Sequence, residues 1–175
     1  RVLLMYGLSL SFGGIPLIYM GDELAQTNDR SYLADPARSM DGRWLQRPYF
    51  DQDAQTNLQD MSRHSSQVFT QLCELIKQRQ QLPALAANAA RQILATDCAQ
   101  VLSFVRGDVR RDEHLIYLSN FSELPQALLS TEIFEQIPFA TSNDVQYVDV
   151  LSGEVMGSHI SLAAYSQRWL RVIGG

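Results

Sequence analysis

Lysine is nearly absent from this sequence. Lys77 is the only one, so thirteen of the 14 basic residues are arginines. This excludes a lysine-rich solvated surface and favours planar, forked contacts to carboxylates and carbonyls. Cysteine is scarce as well. Cys73 and Cys98 form neither a disulfide framework nor a metal-ligand spacing, and a reduced, cytoplasmic setting is expected. There is no basic excess: 14 basic against 19 acidic residues leave a net charge of -5, which argues against a nucleic-acid partner. A phosphate-binding glycine loop, internal repeats and low-complexity tracts are missing too. His64, His114 and His159 stand far apart, at no metal-ligand spacing. The balance that remains, 46% hydrophobic and 19% charged, is that of a core-forming globular chain.

The longest uncharged stretch is residues 2–20. A membrane helix needs roughly 20 unbroken apolar residues. Here Gly13, Gly14 and Pro16 break the run and Ser9 and Ser11 dilute it, so no membrane partner is expected. The pattern predicts a buried helix over 2–12, a glycine turn and a strand over 15–20. A strand apolar on both faces belongs in a parallel sheet covered on both sides. The chain starts at Arg1 and is apolar at once, so it is expected to be a portion of a longer protein.

Residues 21–61 lack apolar periodicity and are rich in turn formers: Asn28, Asp29, Asp35-Pro36, Asp41-Gly42 and Arg47-Pro48. Tyr32, Trp44, Tyr49 and Phe50 argue for ordered packing within this loop, and a long ordered loop favours function. An amphipathic helix follows over 63–81, with Val68, Phe69, Leu72, Leu75 and Ile76 at helical spacing. Asp60 or Ser62 is positioned to cap it and Pro83 to stop it, while Cys73 is expected at its packed side or edge. An alanine-rich connection spans 84–90. Beyond it short strands are predicted over 92–95, 101–106, 115–120, 147–151 and 168–173. Turn formers separate them, among them Ser142-Asn143-Asp144, and the pattern is that of an antiparallel sandwich or small barrel. The expected boundary divides 1–83 from 84–175.

Chemistry concentrates in two places. Asp22 and Glu23 follow the predicted strand, where parallel α/β folds bind ligands. Adjacent residues leaving a strand diverge, however, so backbone hydrogen bonding by these carboxylates is the simpler expectation. Asp41, Arg43, Trp44 and Arg47 form a denser cluster. An arginine fork clamps a carboxylate, and an aromatic face stacks on the C–H face of a sugar; a structural Asp–Arg pair with Trp44 as anchor is the equally simple alternative. Asn28, Asp29 and Asp35 supply oxygen donors without a calcium-loop pattern, and neither a metal nor a cofactor is assigned.

The run Gly14-Ile15-Pro16-Leu17-Ile18-Tyr19-Met20-Gly21-Asp22-Glu23 resembles the last barrel-strand signature of glycoside hydrolase family 13, the α-amylase superfamily. Asn28-Asp29, Arg43-Trp44-Leu45-Gln46-Arg47-Pro48, Asn120-Phe121-Ser122-Glu123-Leu124-Pro125-Gln126 and the closing stretch from Leu162 to Leu170 resemble its amylosucrase branch. The resemblance implies an α+β chain: the seventh helix, eighth strand, long loop and eighth helix of a (β/α)₈ TIM barrel, then an all-β antiparallel C-terminal sandwich. It implies that the nucleophile, the acid/base and the stabilising aspartate all lie upstream of Arg1. The chain alone is then inactive, and its parent cleaves sucrose and passes glucose to a glucan or other sugar acceptor. Arg43 is matched to the arginine that closes the donor pocket, with Arg47 as second choice, and Asp41 and Trp44 complete the expected sugar-binding set. Polymer synthesis, sucrose hydrolysis and phosphorolysis share this framework. The rivals are another α-glucosidase- or amylase-type family member, and a non-catalytic carbohydrate-binding or interaction module using Phe104, Tyr117 and Tyr147. Self-association through the apolar segment 2–20, or packing of its helix onto the sandwich, is expected of the isolated chain.

Overall fold

The computed structural model describes residues 1–142 and 145–173. By compactness the chain forms two units. One comprises residues 3–16 and 74–175 together with Arg1; the other comprises 17–73 together with Val2.

The first unit is built on two antiparallel sheets. The larger has the order β1-β2-β3-β7-β5, with β1 at Arg91–Ile93, β2 at Val101–Gly107, β3 at His114–Asn120, β5 at Gln146–Asp149 and β7 at Gln167–Ile173. These five match the expected strands to within a few residues. A second sheet pairs β4 (Gln126–Leu129) with β6 (His159–Leu162), two strands the sequence pattern did not mark. Each has four residues, as β5 does, and β6 alternates cleanly between exposed and buried positions. Two one-turn helices, α4 (Ser130–Phe134) and α5 (Pro138–Ser142), were likewise not expected. Of the turn placed at 142–144, Asn143 and Asp144 lie outside the described residues.

Between the sheets lies an apolar core: Val105, Ile116, Leu118 and Leu170 from one side, Leu128, Ile160 and Leu162 from the other, closed by Ile133 and Ile137. The opposite face of the large sheet is equally buried. Register aligns Phe104, Tyr117 and Trp169 across β2, β3 and β7, and none of the three has exposed surface. Phe104 and Tyr117 stack with centroids 4.6 Å apart, and Phe12 meets Phe104 edge-on at 5.5 Å. Phe12 ends α1 (Val2–Phe12), which forms where expected. Being apolar all round, such a helix needs cover rather than a solvated face.

The end of α1 is the most densely bonded point of this unit. A helix terminus leaves its last carbonyls without intrahelical donors, and here three arginines supply them. Arg79 donates to Leu10 O and, at 3.2 Å, to Gly14 O. Arg106 donates to Ser11 O at 2.8 Å, and Arg91 to Phe12 O at 2.7 Å while stacking 3.6 Å over the Phe12 ring. Gly13 turns the chain away at φ 134°, a conformation that L side chains rarely adopt. Arg106 has no exposed surface, and its remaining donors go to Ala86 O, Ala89 O and Ala90 O at 2.7–3.2 Å. The 84–90 segment is therefore a bonded clasp rather than a plain connection. Burial first, then repulsion from Arg79 and Arg91, pulls the pKa of Arg106 down. The negative end of the helix dipole and four carbonyls keep the cation in place without a carboxylate.

Two expectations fail. Residues 15–20 form no strand: the segment pairs with no neighbour among the described residues, and Ile15 and Leu17 are 91% and 83% exposed. A strand exists through its ladder, and a lone parallel strand has none. Cys73 is exposed rather than packed, one step around the helix from fully buried Leu72. That helix, α3 (His64–Gln81), otherwise forms as expected, with Val68, Leu72 and Leu75 buried. Asp60 accepts from the amide and hydroxyl of Ser62 just before it. Residues 21–61 are ordered by short turns: 3₁₀ helices at Asp22–Leu24, Ser31–Ala34 and Gly42–Leu45, then α2 (Gln52–Thr56) capped by Asp51.

Two predictions follow from the first unit. Arg106→Met removes the donors of four carbonyls and should cost about 3–5 kcal/mol in urea unfolding; a loss below about 1 kcal/mol would contradict the clasp. His114 is buried, with Nε2 2.8 Å from the Tyr147 hydroxyl and Nδ1 on Arg111 O. The Arg111 carbonyl can only accept, so neutral His114 carries its proton on Nδ1 and the Tyr147 hydroxyl donates to Nε2; burial raises the pKa of Tyr147. Burial also lowers the His114 pKa, against the opposing pull of the Arg111 carbonyl, Asp112 and Asp108. Above the unfolded histidine pKa of about 6.5 both states are neutral. Below it the unfolded chain binds the proton first, so stability falls with pH until the folded pKa is passed. His114→Gln should flatten the stability slope between about pH 7 and 5.

Candidate functional site

The second unit carries all four expected sugar-binding residues on one ordered turn. Asp41 caps the 3₁₀ helix Gly42–Leu45, its Oδ1 accepting from the Arg43 amide at 3.1 Å. The Arg43 side chain folds back to grip the same carboxylate, Nε to Oδ1 at 2.9 Å and Nη2 to Oδ2 at 2.7 Å. The Arg43 side chain is still 73% exposed, so its remaining donors face solvent. Hydrogen bonds from Arg43, with Arg47 adding charge, hold the Asp41 pKa at about 2. Arg47 itself is exposed and adds no hydrogen bond among the described residues.

Trp44 is half-buried, and what holds it is a residue the sequence reading did not single out. Arg38 lies 5.3 Å from the Trp44 ring and 5.4 Å from the Tyr49 ring, within cation–π range of both. Its Nε donates to Asp35 Oδ2 at 2.6 Å. The two rings are 5.9 Å apart and inclined at 47°. The signal available in the sequence was Asp35-Pro36-Ala37-Arg38, an acid and an arginine three apart across a proline turn. Asp35 is lowered in pKa first by the Ala37 amide and then by Arg38.

Glu23 accepts from the Gly21 amide at 2.7 Å, the backbone role expected of one member of the adjacent pair. Two of the three oxygen-rich residues are already engaged: Asp29 binds the amide and hydroxyl of Ser31, both at 2.7 Å, and Asp35 binds Arg38. The described residues contain no group of three or more potential metal ligands. No helix among them is long and apolar enough to cross a membrane.

No family model matches the chain. Solved structures do. AmyP E221Q in complex with maltotriose matches with a TM-score of 0.69 at 18% identity, over 98% of this chain and 34% of that one. Pullulanase from Anoxybacillus sp. LM18-11 gives 0.65 at 16% identity, over 98% and 22%. The trehalulose synthase MutB from Pseudomonas mesoacidophila MX-45 gives 0.61 at 14% identity, over 98% and 38%. All three are glycoside hydrolase family 13 enzymes. This chain has the fold of their C-terminal region. It spans about a third of the length of the first of them.

The Asp41–Arg43 fork is a self-contained unit whose titration can be read directly. The Asp41 carboxyl should titrate near pH 2, and Arg43→Gln should return it toward its ordinary value of 3.8. Carboxyl ¹³C shifts followed against pH measure both. An Asp41 carboxyl at its ordinary value in the unsubstituted chain would break the pairing described here.

Proposed function

We propose that the chain is the C-terminal part of a sucrose-acting, amylosucrase-like family 13 enzyme. In this reading residues 1–83 supply the seventh helix, eighth strand, long loop and eighth helix of the (β/α)₈ barrel, and residues 84–175 are the C-terminal sandwich. The observation that carries it is the ordered turn at 41–47, which presents a forked, exposed Arg43 beside the braced ring of Trp44. A planar cation and an aromatic shelf are what a closed glucose pocket needs from one wall. The exposed apolar segment at 15–20 supports the barrel assignment, because a buried parallel strand separated from its neighbours is left without a ladder.

The parent reaction is a retaining double displacement. An upstream carboxylate attacks the anomeric carbon of the glucosyl unit, and an upstream acid protonates the departing fructosyl oxygen. The glucosyl-enzyme then passes its sugar to a glucan, another sugar or water. Arg43, with Asp41 fixing its azimuth, binds and orients the donor. Trp44 excludes water from one side, and Arg47 adds positive potential at the rim. The chain by itself carries no catalytic carboxylate of this set and is inactive. A reducing, cytoplasmic setting fits its two free cysteines. The exposed Ile15, Leu17 and Met20 favour self-association of the isolated chain.

A second reading within the family is an amylase-type enzyme acting on α-glucans, favoured by the AmyP–maltotriose match. The carbohydrate-binding-module reading loses its platform, because Phe104, Tyr117 and Tyr147 are at most 1% exposed. In the full-length enzyme, Arg43→Ala should lower kcat/KM for sucrose roughly 30-fold or more, the scale of losing a desolvated charged contact. Turnover of maltotriose in preference to sucrose would favour the second reading. An effect within twofold on either sugar would remove Arg43 from the pocket.

A further inference from the structure

Two arginines of the loop differ sharply in exposure. The Arg43 side chain is 73% exposed, whereas that of Arg38 is 21% exposed and turned into the loop. Arg38 makes three kinds of contact, each to a different partner. Its Nε donates to Asp35 Oδ2 at 2.6 Å, and Asp35 is itself fixed because its Oδ1 accepts from the Ala37 amide at 2.9 Å. Its guanidinium stands 5.3 Å from the Trp44 ring and 5.4 Å from the Tyr49 ring, two rings inclined at 47° to one another. Its backbone carbonyl accepts from the Asp41 amide at 2.9 Å.

These contacts reach Arg43 and Trp44 by separate routes. The Arg38 carbonyl fixes the amide of Asp41, whose carboxylate then grips the Arg43 guanidinium. The Trp44 amide donates to Asp41 O at 3.2 Å, while the Trp44 ring meets the Arg38 guanidinium. Past Trp44, the Leu45 carbonyl accepts from the Asp29 amide at 3.0 Å. The Asp41–Arg43 fork spans only two residues and keeps its shape locally; what it lacks by itself is a fixed direction. A single short 3₁₀ turn is too brief to supply one, so the direction comes from outside it. Side chains ordered before a ligand arrives lose less entropy on binding, and a misdirected contact forfeits much of its effect.

We propose that Arg38 is the positioning residue of the 41–47 turn, aiming Arg43 and Trp44 without meeting the ligand itself. Its consequence for substrate rests on the pocket-wall reading given above; the aiming does not. Lysine is a poor substitute at this position. An ammonium is a point charge, with no planar face to lay against two rings while it bonds Asp35.

The aiming is measured first in the 175-residue chain. Arg38→Met and Arg38→Lys should both lower the ¹⁵N order parameter of the Trp44 indole, with the buried Trp169 indole unchanged as internal reference. The Asp41 carboxyl should still titrate near pH 2 in both variants, showing that the fork has formed. An unmoved Trp44 indole in Arg38→Met overturns the inference, and so does a lysine variant indistinguishable from the unsubstituted chain. An Asp41 carboxyl back at 3.8 also overturns it, because Arg38 would then build the turn rather than aim it. In the full-length enzyme, Arg38→Met should lower kcat/KM for sucrose roughly tenfold, mostly through KM. Combined with Arg43→Ala it should cost less than the product of the two single losses, because it acts in part through Arg43. A full product contradicts the proposal. A loosened Trp44 with turnover indifferent to Arg43→Ala removes the pocket reading and leaves the aiming in place. A fixed Trp44 with turnover impaired by Arg43→Ala does the reverse.

Discussion

The capture of one helix end by three arginines is the constraint on which the first unit depends. The helix at 2–12 is apolar on every side, so its face cannot fix its direction; its terminus does. Leu10, Ser11 and Phe12 each present a carbonyl, and Arg79, Arg106 and Arg91 reach them from a helix and two strands. Each guanidinium is held near like charges, an arrangement that only a negative partner makes tolerable, and the helix dipole is that partner. The sheet gains its second cover from this arrangement. Without the helix, Phe104 would lose the edge-on cover of Phe12. The scarcity of lysine then acquires a structural meaning. A forked donor reaches several carbonyls at once, as Arg106 does with four, where an ammonium offers a point charge.

The same chemistry organises the loop. Asp35 with Arg38 and Asp41 with Arg43 are short-range pairs across tight turns, and each does a different job. Arg38 is mostly covered and braces two rings, whereas Arg43 is exposed and offers its free donors outward. One residue type thus supplies the clasp of the first unit, the brace of the site and the group proposed to meet substrate. Local pairing over two or three residues gives long loop segments fixed geometry without regular secondary structure.

Legibility in the sequence followed the length scale of the interactions. The helix at 64–81 was legible because burial of one face is written as periodicity, the helix at 2–12 as an uncharged apolar run closed by two glycines, and five strands as runs of Val, Ile, Leu, Tyr and Phe between turn formers. The strands at 126–129 and 159–162 pair with each other across 30 or more residues of sequence, and that pairing is a tertiary fact. The segment at 15–20 reads as a strand from its side chains but pairs with nothing, because a ladder needs a neighbour that composition does not reveal. The turn at 41–47 was legible as a cluster of chemistry. Its brace was not: Arg38 acts through rings six and eleven residues away, a relation no short motif encodes. The arginine clasp was hidden for the same reason, since Leu10 and Arg79 meet only after folding.

The central claim is that the first helix belongs to the sheet's cooperative unit because its end is clasped. Native-state hydrogen exchange measures this directly. The account predicts that amides in the last turn of α1 exchange with the same opening free energy as those of β3, and that both move together with denaturant. Exchange of the α1 amides by local opening, while β3 remains protected, would contradict it.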